Sequence, residues 1–219
     1  SKNTLSNTSV TAIVKGENDS TIWVGTQNGL NKIHFSGIDY KNPVFKHFYP
    51  DEKLANSELP VQQHVRSVLI DRDGDYWLGG VEGIVHMSYD SKTEKAVFKV
   101  VNKQMFEVFA SLQDSNGNLW FGSFVGGGGL IRWKKKKKPN SNEFDFSEAV
   151  YYSTRDQIEH GLSGDEISCI YEDSKHQIWI GTLQGGLNLF ITGLKGKKDQ
   201  FISYQHNPDN QNRLIKNAV

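Results

Sequence analysis

The sequence predicts an all-β chain of four four-stranded units, and three observations carry that prediction. A tryptophan phrase occurs four times, as Ile22-Trp23-Val24-Gly25-Thr26, Tyr76-Trp77-Leu78-Gly79-Gly80, Leu119-Trp120-Phe121-Gly122-Ser123 and Ile178-Trp179-Ile180-Gly181-Thr182. By their numbering the tryptophans stand 54, 43 and 59 residues apart, and recurrence on that scale marks an array of supersecondary units. Around each phrase lie short runs rich in β-branched and aromatic residues, separated by Gly, Asn and Asp. Such runs are strands joined by tight turns.

The elements of a unit follow in fixed order. A first strand precedes each phrase: Val10 to Val14, Val65 to Ile70, Val108 to Leu112 and Ile167 to Tyr171. A turn follows, clearest as Asp71-Arg72-Asp73-Gly74-Asp75 and Asp114-Ser115-Asn116-Gly117-Asn118, where Asp and Gly suit a hairpin with a residue at positive φ. The tryptophan phrase is the second strand. A Gly-centred turn opens the third, Gly29 to Ile33, Gly83 to Met87, Gly129 to Trp133 and Gly186 to Phe190. A more variable fourth strand closes each unit, Val44 to Tyr49, Lys95 to Val101, Ala149 to Ser153 and Phe201 to His206. Four antiparallel strands per unit, repeated radially, make a β-propeller. The four blades span about 5–50, 59–101, 105–153 and 162–206.

The ends repeat as well. Leu5-Ser6-Asn7-Thr8-Ser9-Val10 leads into the first blade and Leu162-Ser163-Gly164-Asp165-Glu166-Ile167 into the fourth. Leu214-Ile215-Lys216-Asn217-Ala218-Val219 has the same form, so residues 207–219 are expected to open a fifth repeat of a larger ring.

Together the L-S-x-x-x-V leader, the D-x-x-G turn and the Trp-x-Gly-Thr-x-x-Gly-Leu phrase resemble the two-component regulator propeller repeat. The resemblance covers nearly the whole chain and is best in the first and fourth units. The third lacks an L-S leader before Met105-Phe106. It implies the periplasmic sensor region of a hybrid two-component receptor, with seven-bladed propellers, a β-sandwich domain, a membrane helix and a cytoplasmic histidine kinase. It further implies recognition of an oligosaccharide or similar polar ligand and control of polysaccharide-utilisation genes. The partners expected are that ligand, the remaining blades of the receptor and a second copy in a homodimer.

Composition narrows the alternatives. Lys plus Arg and Asp plus Glu number 25 each, so no net field attracts nucleic acid or an anionic membrane. No run reaches the roughly 20 apolar residues of a membrane helix. Lys134 to Lys138 reads as a solvated, mobile loop between the third and fourth strands of the third blade, since five like charges repel. Cys169 alternates with Ile167 and Tyr171 on an inner strand and is expected in the core.

No catalytic constellation or cofactor motif stands out. The seven histidines are scattered, without H-E-x-x-H, and no G-x-S-x-G occurs. Gly126 to Gly129 lacks the following helix of a phosphate cradle and reads as a lengthened, flexible turn. Asp71, Asp73 and Asp75 alternate as in a calcium loop, but Gly74 falls at the fourth position rather than the sixth, so no metal is expected. Trp23, Trp77, Trp120 and Trp179 are structural, packed between blades, and Gly25, Gly79, Gly122 and Gly181 permit close backbone approach or a bend. A ligand is expected on the face holding the second-to-third-strand turns and the blade connections, where Gln27, Asn28, His64, Glu82, Phe124, Asp165 and Gln184 are the candidates. The alternatives are a structural or dimerisation propeller without its own ligand, and a propeller lyase.

Overall fold

The computed structural model describes residues 3–37, 41–50, 64–81, 83–103, 107–124, 128–156, 160–194, 197–208 and 214–219. Its described strands form four antiparallel sheets, each built from strands consecutive in sequence. The first sheet holds β1 (Val10–Lys15), β2 (Thr21–Thr26), β3 (Gly29–His34) and β4 (Val44–Phe48). The second holds β5 (Val65–Ile70), β6 (Tyr76–Gly80), β7 (Gly83–Asp90) and β8 (Lys95–Asn102). The third holds β9 (Val108–Gln113), β10 (Asn118–Ser123), β11 (Leu130–Lys134) and β12 (Val150–Tyr152). The fourth holds β13 (Ile167–Glu172), β14 (Ile178–Thr182), β15 (Gly186–Ile191) and β16 (Gln200–Tyr204). One 3₁₀ turn, Thr154–Asp156, is the only helical element among the described residues, and no helix there could cross a membrane.

The chain divides into two compact units, residues 1–103 and 104–219, each with two sheets. In the first unit β5 packs against β1 and β2; in the second β13 packs against β9 and β10. The tryptophan of the leading sheet fills each seam. Trp23 is fully buried among Phe48, Tyr76 and Tyr89, with ring centroids 5.3, 5.2 and 5.1 Å away. Trp120 sits edge-on to Phe190 at 4.9 Å within a cluster that includes Ile167, Ile178 and Ile180. The following glycine allows this closeness: a Cβ on Gly122 would lie 2.4 Å from Ile167 Cγ2, and one on Gly25 2.9 Å from the Val65 carbonyl. The glycines of the phrase therefore act through close approach.

Three expectations need correction. Trp179 occupies the repeat position of Trp23 and Trp120 but is only half-buried, because the described residues leave its face of the fourth sheet partly uncovered. Cys169 is exposed, since it shares that face beside Gly181. The lysine run is paired rather than loose. Lys137 bridges Phe144, the Lys138 N–H donates to the Glu143 carbonyl at 2.8 Å, and the Asp145 N–H donates to the Lys136 carbonyl at 2.9 Å. Beneath this hairpin Trp133 is fully buried, stacked on Phe146 at 4.0 Å, and its Nε1–H donates to the Asp145 carbonyl. Apolar anchoring of Trp133 outweighs repulsion among the lysines, two of which pair with Glu148 and Glu143. Of the four-glycine turn, Gly126 and Gly127 lie outside the described residues.

Candidate functional site

Most polar side chains of the repeat prove to be committed to the fold. In three blades an aspartate six residues before the tryptophan accepts its Nε1–H: Asp71 from Trp77 and Asp114 from Trp120 at 2.8 Å, Asp173 from Trp179 at 2.9 Å. The other carboxylate oxygen accepts turn amides, as Asp71 does from Asp73 and Asp75 at 2.9 and 3.0 Å. Asp71 is thus committed to N–H donors, which agrees with a turn rather than a cation loop. The fourth turn residue has positive φ: 83° at Gly74, 79° at Gly117 and 61° at His176. Hydrogen bonding from Trp179 foremost, and then the Gln177 amide, holds the Asp173 carboxyl below the usual range.

The first blade has Glu17 where the others have that aspartate. Glu17 accepts the Tyr76 hydroxyl at 2.9 Å, and the buried Trp23 Nε1 makes no hydrogen bond among the described residues. Opposite three of the tryptophans stands a cationic or titratable residue on the third strand: Lys32, His86 and Arg132. Lys32 donates to Tyr89 at 2.9 Å and lies over its ring, while Arg132 meets Asp199 at 2.9 Å and lies over Phe190. Burial pulls the Lys32 ammonium down, but the Tyr89 hydrogen bond and the Glu17 charge outweigh it, and the net direction is up. Burial, reinforced by the Asp199 hydrogen bond, pushes the Tyr152 phenol up. These pairings are architectural, and the i−6 aspartate is the signal by which sequence could have found them.

The leader and the Thr of the phrase build one end of the first and fourth blades. The Ser6 N–H donates to Asn31 Oδ1 at 2.8 Å, and the Ser163 N–H to Asn188 Oδ1 at 3.1 Å. Thr26 and Thr182 close their turns by donating to the Gly29 and Gly186 carbonyls. At this end of the first unit lie Gln27, whose main-chain N–H donates to the Ser9 carbonyl, and Asn28, whose main-chain N–H donates to Thr26 Oγ1. His64 stands there too, its carbonyl packed against Gly80. Glu82 lies outside the described residues. In the second unit Phe124 stacks on Phe109 at 4.5 Å.

Asp165 and Gln184 meet in one cavity of about 430 Å³, lined by Thr154, Ser163, Gly164, Asp165, Glu166, Gln184, Gly185 and Gln205. Asp165 is already engaged, accepting the Thr154 N–H and hydroxyl at 2.7 and 2.8 Å and the Ser153 hydroxyl at 3.2 Å. It fixes the chain between β12 and β13. Ser163 and Gln205 both donate to the Gly185 carbonyl. The side chains of Glu166 and Gln184 have no hydrogen bond or ion pair among the described residues. No metal-binding group of three His, Cys, Asp or Glu occurs among the described residues.

Four-stranded blades with these seams define a β-propeller fold. Residues 107–124 and 161–184 match the two-component regulator propeller, so the repeat resemblance holds in the third and fourth blades. The chain is 26% identical over 189 residues to Histidine kinase P4 of Formosa agariphila, covering 82% of this chain and 12% of the kinase. Its fold is similar to the extracellular domain of a proposed one-component system of B. thetaiotaomicron, with TM-score 0.58 and 20% identity, covering 100% of this chain and 32% of that domain. It is also similar to virginiamycin B lyase of Staphylococcus aureus, with TM-score 0.53 and 15% identity, covering 90% of this chain and 56% of the lyase. The chain therefore spans a small part of the histidine kinase it matches. Over residues 107–124 and 161–184 it is similar to the propeller repeat of two-component regulators.

Proposed function

We propose that this chain is a non-enzymatic, ligand-sensing segment of a hybrid two-component receptor, placed in the periplasm. The match of residues 107–124 and 161–184 to the regulator propeller carries the reading. Its ligand is an oligosaccharide or a similar polar molecule, and the receptor controls polysaccharide-utilisation genes. The remaining blades of the receptor cover the faces this segment leaves open, and the receptor works as a homodimer. Most polar side chains of the repeat are spent on packing, which also supports a reading in which the segment relays the signal and a different propeller binds the ligand. The lyase likeness rests on fold alone.

The test uses the full receptor in its host with a reporter on its target promoter. Substitution of Gln184 and Gln205 by Ala should shift the oligosaccharide dose needed for induction while leaving receptor abundance unchanged. Induction at an unchanged dose favours the relay reading. Turnover of a glycan or a cyclic peptide by the purified chain, abolished by a single substitution, would overturn the non-enzymatic reading.

A further inference from the structure

We propose that the cavity between the leader of the fourth blade and the β14–β15 turn takes an uncharged polyhydroxyl ligand and rejects anionic ones; this rests on the sensing reading above and names the ligand class of its site. The lining supplies hydroxyl, amide and carboxylate groups from Thr154, Ser163, Asp165, Glu166, Gln184 and Gln205. Among the described residues it contains no Lys, Arg or His, the side chains that hold sulfate, phosphate or uronate groups. Two adjacent carboxylates, Asp165 and Glu166, set a negative local potential that repels an acidic sugar.

The division of labour among these groups sharpens the assignment. Asp165 and Ser163 are consumed by Thr154 and Gly185 and keep the walls in place. Glu166 and Gln184 carry the available groups. Glu166 accepts only, Gln184 both accepts and donates, and Gln205, with its amide nitrogen on Gly185, keeps an acceptor oxygen. A site dominated by acceptors asks its ligand for donors. Vicinal hydroxyls answer that need; a carboxylate or sulfate does not. Behind the lining, Asn188 is fully buried with Oδ1 accepting Ser163 and Ser203, and its Nδ2 makes no bond among the described residues. The equivalent Asn31 places its Nδ2 on the Val24 carbonyl at 3.1 Å. The fourth blade thus holds a buried amide donor with no hydrogen bond among the described residues, at a position where the first blade pairs its own. The cavity is also closely built. A Cβ on Gly185 would fall 2.4 Å from the Ser163 carbonyl oxygen, so the wall admits no side chain there.

The experiment titrates the 219-residue chain by calorimetry and saturation-transfer NMR with maltotetraose, xylotetraose and mannotetraose, and in parallel with tetragalacturonate. A neutral tetraose should bind and tetragalacturonate should not. Gln184→Ala with Gln205→Ala should weaken the neutral ligand by about tenfold, the loss of a hydrogen bond or two. Glu166→Lys should weaken it too and admit tetragalacturonate. These positions are surface loops, and a circular-dichroism melt confirms that each variant folds. Neutral binding that the two variants leave unchanged overturns this site but leaves the sensing reading intact. Stronger binding of tetragalacturonate to the unaltered chain overturns the ligand class. A chain that binds none of the four overturns the inference, and the reporter assay on the full receptor then decides separately whether sensing itself survives.

Discussion

Trp120 and Trp179 hold the same place in the repeat, yet the fold asks different things of them. Trp120 is buried between two sheets, whereas Trp179 is only partly buried, against Tyr204. Trp120→Ala should cost about 3–5 kcal/mol, the range for a fully buried aromatic. Trp179→Ala should cost less, about 2–3 kcal/mol, since part of its transfer term is absent. Urea titration of the two variants distinguishes these, and equal losses would show that the Trp179 face is covered. The Trp179 N–H has its own signature. Asp173 is held low in the folded chain chiefly by that donor, so its stabilising effect is fully present above the unfolded carboxylate value of about 3.9 and is lost as pH falls through the folded value. Trp179→Phe keeps a ring but removes the donor. Its urea midpoint should therefore fall less steeply than wild type between pH 5 and pH 2, and parallel curves would refute the link. The tryptophans were legible in sequence because they recur. Their aspartate partners are half-legible: Asp and Gly mark the turn, but nothing in the turn pattern says that the carboxylate reaches the indole six residues on. Glu17 keeps that offset in the first blade but carries a different bond, to Tyr76 instead of Trp23. Of the candidate site residues, Asp165 and Gln184 share a cavity while Gln27, Asn28, His64 and Phe124 do not join it. A strand alternation says which end of a blade a residue occupies, and it does not say whether its side chain is already spent on a neighbour.

Strand order and register at the element scale follow from alternation and turn chemistry alone, which is why the sixteen described strands fall close to the runs read from sequence. The β11–β12 connection is different. Charge density suggested a solvated loop, but the informative residues were Trp133, Phe144 and Phe146, which fall outside the repeated phrase and become a cluster only when the chain folds back. Pattern reading weighs neighbours in sequence; here the ring contacts span more than ten positions. A paired backbone resists proteases because cleavage needs local opening, and exposed loop tips are preferred sites of nicking. Lys134 to Lys138 should therefore survive limited trypsin treatment longer than their exposure suggests. Phe146→Ala removes the stacking partner and should make this run the first cut, read as fragments near 15 and 10 kDa, roughly 110 Da per residue on either side of the run in a chain of 24.7 kDa. Rapid cutting there in the unaltered chain would return the segment to a mobile loop.

At the scale of the whole molecule, the outer face of the fourth sheet sets the behaviour of the isolated chain. Register places Tyr171, Trp179, Leu189 and Ile202 in one cross-strand row and Cys169, Gly181, Leu187 and Tyr204 in the next. The equivalent rows of the first sheet begin Val14, Trp23 and Ala12, Gly25, and there the second sheet covers them. On the fourth sheet Tyr171 is 63%, Ile202 48% and Tyr204 37% exposed. Val219 already occupies the entry to this face. A Cβ on Gly181 would meet its Cγ1 at 3.0 Å, as one on Gly25 meets Val65, and Ser168 donates to the Val219 carbonyl as Thr11 does to that of Val65. The face is thus built to receive another sheet of the same kind. Its third strand makes it more apolar than its counterparts, with Leu189 where Lys32 and Arg132 stand. Contiguous exposed apolar area beyond a few hundred Å² is rare on a soluble monomer. In the isolated 219-residue chain the available cover is a second copy, so light scattering should report a mass that rises from monomer toward dimer with concentration. Tyr171→Lys with Ile202→Lys charges both ends of the exposed row without touching the buried seam. That variant should stay monomeric with its urea midpoint nearly unchanged. A wild-type chain that remains monomeric at high concentration, or a lysine variant that still associates, would show that this face is not the adhesive surface.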